Sequence, residues 1–381
     1  MRGCAPHPAL HKEVAHVSRT EDAFPILGID YVQFFVGNAK QAAHYYKALG
    51  FVPVAYMGLE TGSRDRVSWC VQQGQVRFVF TGALSSESPI AEHVRLHGDG
   101  VKDVALRVPD AEDAYRVALE RGATGIEEPQ VFEDERGKVV RAAIATYGET
   151  IHSLVSRQDY SGVFWPGFQA VEVESSGDGF GIESIDHVVG NVELGKMQEW
   201  VQFYERIMGF VELRHFSDEE ISTEYSALMS KVVWDGEGKI KLPINEPAEG
   251  KRKSQIEEYL EYYRTPGVQH IALTTGDIVR SVESMNATGV EFLRVPGVYY
   301  EEAKRRVPEI ADRIEGLERN GILVDKDEDG YLLQIFTKPV QDRPTVFFEL
   351  IERHGAKGFG AGNFKALFEA IEREQAERGN L

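Results

Sequence analysis

Two stretches of this 381-residue chain decide how the rest is read. They are Gly100-Val101-Lys102-Asp103-Val104-Ala105-Leu106 and Gly267-Val268-Gln269-His270-Ile271-Ala272-Leu273. Both alternate as a strand buried on at least one face does, and they are one strand pattern with different chemistry at the fourth position. The correspondence continues elsewhere. Gly28-Ile29-Asp30-Tyr31-Val32 matches Ser184-Ile185-Asp186-His187-Val188, Ala48-Leu49-Gly50-Phe51 matches Ile207-Met208-Gly209-Phe210, and Leu154-Val155-Ser156-Arg157 matches Leu350-Ile351-Glu352-Arg353. The two halves are repeats of each other. Within each half the order strand, helix, three strands occurs twice. Amphipathic helices are expected over Ala39–Leu49, Ala111–Arg121 and Met197–Met208, stopped by Gly50, Gly122 and Gly209. A fourth unit begins at Gly267. The expected class is therefore α+β.

The repeat also isolates chemistry. A lone histidine in a strand is ordinarily a satisfied core imidazole. His270, however, has company: His187 lies in the strand pattern Ile185–Val189, and Glu349 interrupts the apolar run Thr345–Ile351. A buried, unpaired carboxylate would cost several kcal/mol, so Glu349 must be protonated, ion-paired or bound to a cation. The first half carries Tyr31, Asp103 and Ser153 at the three equivalent places. The scaffold thus does without the His, His, Glu set, and its presence in the second half needs a reason other than packing. Two histidines and a carboxylate are the ligand set of an open non-haem iron(II) site.

Composition narrows the partners. A formal net charge of −19 argues against nucleic acid and anionic membranes, and no apolar run approaches the ~20 residues needed to span a bilayer. Residues 1–22 read as a disordered tail, 23–160 as a first domain without metal ligands, 161–181 as a linker and 182–381 as a catalytic domain. With Cys4 in the tail and Cys70 in a strand pattern, a disulfide framework is not expected and a reducing cytoplasm fits. Three motifs are set aside. His93 and His97 have a spacing that zinc ligands can use, but their counterparts are Tyr259 and Tyr263, so they read as residues of an amphipathic helix face. Asp325–Gly330 imitates a calcium loop, yet its twelfth position is Phe336 rather than a bidentate glutamate, and it reads as a hairpin turn. Gly358-Phe359-Gly360-Ala361-Gly362 lacks the flanking elements of a phosphate loop and reads as a turn into the last helix.

Several longer stretches carry a resemblance. They include Ile185–Val192, Glu224–Ser230, Leu242-Pro243-Ile244-Asn245-Glu246-Pro247, Gly267–Ala272, Gly330–Thr337, Phe347–Arg353 and Gly358–Leu367. Over about residues 24–381 the chain resembles the 4-hydroxyphenylpyruvate dioxygenase family of the vicinal-oxygen-chelate superfamily, whose domains pair βαβββ modules into open, glyoxalase-like barrels. The resemblance implies Fe(II) held by His187, His270 and Glu349, with 4-hydroxyphenylpyruvate and O2 as substrates. It implies oxidative decarboxylation, ring hydroxylation and side-chain migration, giving homogentisate and CO2 in tyrosine and phenylalanine catabolism. Gln334, Gln269 and Asn245 would be catalytic, and Ser230, Pro243, Gln255, Phe336, Phe359, Asn363, Phe364 and Leu367 would complete the substrate pocket. Gln269 is the weakest of these, because strict alternation points it away from the side that His270 faces. A lid helix over about 363–377 and a homo-oligomer, dimer or tetramer, are also implied. The nearest rivals are hydroxymandelate synthase and an extradiol catechol dioxygenase. Pro243, Asn245 and Phe336 argue against the first, and the Phe359–Phe364 segment against the second.

Overall fold

The computed structural model describes residues 24–380 apart from 158, 173–178, 217–226, 249 and 296–297; the expected tail and Glu224–Ser226 lie outside the described residues. The first half runs β1 (Gly28–Phe35), α1 (Ala39–Tyr45), β2 (Val52–Met57), β3 (Arg66–Gln73), β4 (Val76–Ala83), α2 (Pro89–His97), β5 (Gly100–Arg107), α3 (Ala111–Glu120), β6 (Gly125–Asp134), β7 (Gly137–Ala145) and β8 (Ile151–Ser156). A short β9 (Gln169–Ala170) follows. The second half runs β10 (Ile182–Asn191), α4 (Met197–Met208), β11 (Val211–Phe216), β12 (Ala227–Trp234), β13 (Lys241–Ala248), α5 (Gln255–Tyr263) and β14 (Gly267–Thr275). It ends with α6 (Ile278–Ala287), α7 (Val298–Arg306), α8 (Ile314–Asn320), β15 (Leu323–Lys326), β16 (Tyr331–Phe336), β17 (Phe347–His354) and α9 (Phe364–Glu377).

Strand order repeats with the sequence. The first sheet is β6-β7-β8-β5-β1-β4-β3-β2-β9 and the second β11-β12-β13-β10-β14-β17-β16-β15. Read from opposite ends, the two have the same topology, β9 apart. These are the two α+β half-barrels that the repeat and the family resemblance together implied. Helix ends follow the expected chemistry. Gly209 caps α4 in the left-handed region at φ 65°, and Ser254 with Glu257 forms a reciprocal cap at the start of α5. The first helix differs from expectation: α1 ends at Tyr45 and tightens into a 3-10 turn over Tyr46–Leu49 before Gly50. From residue 298 on, the charged segment forms α7, a 3-10 turn over Pro308–Ile310 and α8, and Tyr299 donates to the Val324 carbonyl in β15. Asp325–Gly330 is the expected hairpin turn between β15 and β16, with Asp327 accepting from the Asp329 and Gly330 amides.

The interiors of the two half-barrels differ. In the first, Phe164 and Trp165 are buried against Tyr31 and Cys70, with Tyr31 edge-on to Phe164 at 5.6 Å. The expected linker from residue 161 therefore begins as part of the first half's core. Beneath this plug, Asp103 accepts from Tyr31 Oη (3.2 Å), Ser153 Oγ (2.6 Å) and the Ser153 amide (2.9 Å). The three counterparts of the ligand set thus satisfy one another by hydrogen bonds. Asp30, with a fully buried carboxylate, binds Arg157 through both oxygens, 2.7 and 2.9 Å, and Arg107 at 3.0 Å. Asp30→Asn breaks that charge pairing and leaves Arg157 buried. We expect a stability loss of about 3 kcal/mol, read as a lower midpoint in denaturant, whereas an unchanged midpoint would mean that the pair adds nothing.

Candidate metal centre and cavity

Strand register builds the site. β10 and β14 run antiparallel with His187 opposite Ala272, and β14 and β17 run parallel with Ala272 opposite Glu349. His187, Ala272 and Glu349 therefore form one row across three central strands, and His270, two residues along β14, shares their face. Only a methyl group separates the two ligand-bearing side chains of the row. His187 Nε2 lies 3.1 Å and His270 Nε2 3.5 Å from Glu349 Oε2. Two ligands bound at ~2.1 Å to one ion lie roughly 3.0–3.4 Å apart, so the spacing fits a shared first-row divalent ion.

Each imidazole is held from behind. His187 Nδ1 donates to Asp186 Oδ2 (2.7 Å) and His270 Nδ1 to Gln269 Oε1 (2.9 Å). This fixes the tautomer that turns Nε2 toward the centre, as outer partners of metal-binding histidines do. Asp186 is itself clamped by both arms of Arg353 (2.8 Å each) and by Lys241 at 3.1 Å. The electrostatics follow. Burial opposes charge on Asp186, but Arg353 and His187 outweigh it and hold its carboxyl well below the usual range. Burial also opposes charge on Glu349 and His187, yet their mutual attraction lowers the one and raises the other. His270, mainly through burial, is pushed below the ordinary imidazole value. A metal ion would take the place of the proton shared across this set.

A cavity of about 80 Å³ opens on the ligand atoms. Ser230, Pro243, Asn245, Gln255, Gln269, Phe336, Phe359, Phe364 and Leu367 line it together with the three ligands. Ser230 and Asn245 face each other across β12 and β13, and Gln269 Nε2 reaches Gln255 Oε1 at 3.4 Å. Gln269, the weakest of the expected pocket residues, lines the cavity: its backbone alternates away from His270, but its side chain curls back to the His270 ring. Two expected residues do not line this cavity. Gln334 is buried in β16 with Oε1 unpartnered, facing Gly360, and the Asn363 side-chain amide meets Tyr299 Oη at 2.6 Å. Sequence reasoning missed Phe347, which stacks on His270 at 4.8 Å, and the Asp186–Arg353 clamp. The repeat carried a signal for the clamp, since Asp30 and Arg157 occupy the same places. A larger cleft of about 530 Å³ lies between the halves, lined by Arg77, Arg107, Lys239 and Lys241. None of His187, His270 and Glu349 lines it.

The profile described as "Hydroxyphenylpyruvate dioxygenase, HPPD, N-terminal" matches residues 21–165, and that of the Glyoxalase/Bleomycin resistance protein/Dioxygenase superfamily matches 184–335. A 4-hydroxyphenylpyruvate dioxygenase of Yarrowia lipolytica is 49% identical over 93% of both chains. The enzyme of that name from Dictyostelium discoideum is 47% identical over 93% of this chain and 100% of its own. The chain belongs to the 4-hydroxyphenylpyruvate dioxygenase family. Among solved structures, a triple mutant of 4-hydroxymandelate synthase from Streptomyces coelicolor superposes with a TM-score of 0.83 at 34% identity, covering 92% of this chain and 99% of its own.

One contact ties the cavity to the segment that covers it. Gly360 has φ 77°, and a Cβ there would come 2.1 Å from Gln334 Oε1. Gly360→Ala should therefore displace the approach to α9 and raise amide hydrogen exchange across Phe364–Glu377; unchanged exchange would show that the turn absorbs the methyl.

Proposed function

We propose that this chain is an Fe(II)-dependent 4-hydroxyphenylpyruvate dioxygenase with His187, His270 and Glu349 as the iron ligands, converting its substrate and O2 to homogentisate and CO2. The observation that carries the reading is the convergence of two back-anchored imidazoles on one buried carboxylate oxygen inside an aromatic cavity of this family. Bound there, iron would supply a Lewis acid for the α-keto acid and a partner for dioxygen, with the keto acid itself giving up two electrons. Three protein ligands leave about three coordination positions for those groups.

The chain's own residues do the rest. Asp186 and Gln269 hold the ligand imidazoles in the binding tautomer. Ser230, Asn245, Gln255 and Gln269 offer neutral hydroxyl and amide groups that orient a phenol and a keto acid without competing for the metal. Gln334, with a buried oxygen lacking a partner, is the third proposed catalytic amide, and Asn363 secures the approach to α9 through Tyr299. Phe336, Phe347, Phe359, Phe364 and Leu367 exclude water from the reacting atoms. The available 80 Å³ is well below the ~300 Å³ of ordinary ligand pockets, so α9 must move outward to admit substrate. α9 is held closed by Arg378 and Asn380 on Glu258 and by Lys338 on Glu374. Residues 182–381 are then the catalytic domain. The exposed edge strand β6, with Ile126 and Val131 outward, supports a homo-oligomer, and a cytoplasmic setting fits the buried, unpaired Cys70. Among the described residues no helix is long and apolar enough to cross a membrane.

Anaerobic loading with Fe(II), followed by 4-hydroxyphenylpyruvate and oxygen, tests the reading. Homogentisate, identified by mass and retention, is expected; hydroxymandelate would assign the chain to the activity named for its structural neighbour. Alanine at His187, His270 or Glu349 should abolish turnover and iron retention, whereas Asp186→Asn should weaken metal binding by roughly 10–100-fold. Full activity in any of the three alanine variants would sink the ligand assignment. Deleting Gly362–Leu381 should lower kcat/KM by roughly tenfold or more if α9 gates the cavity; intact turnover would rule the gate out.

A further inference from the structure

A second set of ligating side chains converges on the outer side of the first half. His93 and His97, four residues apart on α2, meet Glu149 from the turn between β7 and β8, with ligand atoms of the three within 4.8 Å of one another. Glu149 Oε2 lies 3.1 Å from His97 Nε2 and 3.5 Å from His93 Nδ1. These are the spacings found at the candidate iron centre. Setting the pair aside as helix-face residues overlooked Glu149, which no helical spacing connects to them.

Hydrogen bonding argues that something belongs between these atoms. His97 Nδ1 donates to the Tyr263 carbonyl at 2.5 Å, and its ring stacks on Tyr263 at 4.5 Å. With Nδ1 so engaged, Nε2 is the nitrogen turned toward the Glu149 carboxylate oxygen at 3.1 Å, and it has no hydrogen-bond partner. His93 is 97% buried by side chain, with Phe35 edge-on to its ring at 5.3 Å, and neither of its nitrogens has a hydrogen-bond partner. Such orphaned buried groups are uncommon and costly. Glu149 is 45% exposed by side chain and leaves one side of the cluster open to water.

We propose that His93, His97 and Glu149 form a second metal site, independent of the His187–His270–Glu349 centre, that takes a Zn²⁺-like divalent cation with water in the remaining position. Two imidazoles, a carboxylate and water suit tetrahedral zinc. The Tyr263 carbonyl behind His97 supplies the outer partner that such ligands have. The location gives the ion a structural role. His97 ends α2 in the first half and Tyr263 ends α5 in the second, and Arg343 donates to the neighbouring carbonyls of Leu96 (2.6 Å) and Tyr262 (3.1 Å). A bound cation would lock these helix ends together and brace the junction of the halves. Lys102, which donates to the Glu149 carbonyl, adds positive potential that the cation must outweigh.

Metal counting on the full-length, tag-free chain tests this. After chelation, dialysis against Zn²⁺ should restore two equivalents per chain by mass spectrometry. Glu149→Gln and His93→Asn should each bind one, with homogentisate turnover after iron loading unchanged. The His187→Ala/Glu349→Ala chain should keep one equivalent, and its Co²⁺ form should show the intense visible absorption of a four-coordinate ion. Zinc should raise Tm by more in wild type than in Glu149→Gln, with both chelated forms melting alike, and Lys102→Met should bind the second equivalent more tightly. A single equivalent in wild type, or two retained by both Glu149→Gln and His93→Asn, would overturn the proposal, as would loss of all metal from the His187→Ala/Glu349→Ala chain.

Discussion

The burial of Glu349 is the constraint on which the second half depends. A carboxylate 3% exposed in the middle of a parallel strand pair is tolerable only with compensating positive charge close by. The register makes a place for it: His187 and His270 stand on the same face and turn Nε2 toward one oxygen. That arrangement needs both rings fixed, and the fixing extends outward. Asp186 holds His187, Arg353 and Lys241 hold Asp186, and Gln269 holds His270. A charge placed at the centre thus propagates an alternating order of acids and bases for two shells around it.

The first half shows what the same scaffold does without that charge. Its Asp–Arg clamp is kept, Asp30 with Arg157 standing where Asp186 stands with Arg353. The clamp joins the first and last strands of each half and belongs to the fold. The ligand positions are instead filled by Tyr31, Asp103 and Ser153, which close on themselves through hydrogen bonds, and burial pushes the Asp103 carboxyl up. Phe164 and Trp165 then occupy the interior that α9 covers in the second half. One half-barrel is solid and the other hollow, and the difference is carried by three residues and one aromatic plug.

Much of this was legible in the sequence because a repeat is its own control. Alternation and glycine stops located the strands and helices, α4 to the residue, and the contrast between His187, His270, Glu349 and Tyr31, Asp103, Ser153 separated chemistry from scaffold. What was not legible came from side-chain direction and distance between elements. Alternation gives a backbone face, so it missed Gln269 curling back to His270 Nδ1. Phe347 reads as one more core residue in an apolar run until its ring is seen against His270. Gln334 shares the face of Phe336 yet ends against Gly360, a contact set by the turn before α9. Glu149 lies more than fifty positions from His93 and His97 along the chain, and no spacing rule joins them.

The cavity lining carries a further consequence for how a keto acid binds. Among the described residues that line it there is no lysine or arginine, and the chain's net charge of −19 repels an anion at long range. The buried Glu349 would repel it at short range as well. With a dication held by two neutral imidazoles and one carboxylate, the centre carries a net positive charge in a water-poor site, where electrostatic attraction is strong. The metal is then the dominant source of attraction for the substrate carboxylate, and the amides and hydroxyls around it select orientation, not charge. On that reading metal would bind before substrate, and α9 would close over both. The neutral polar lining and the aromatic wall are two parts of one solution: they would leave the ion as the only positive charge that the substrate meets.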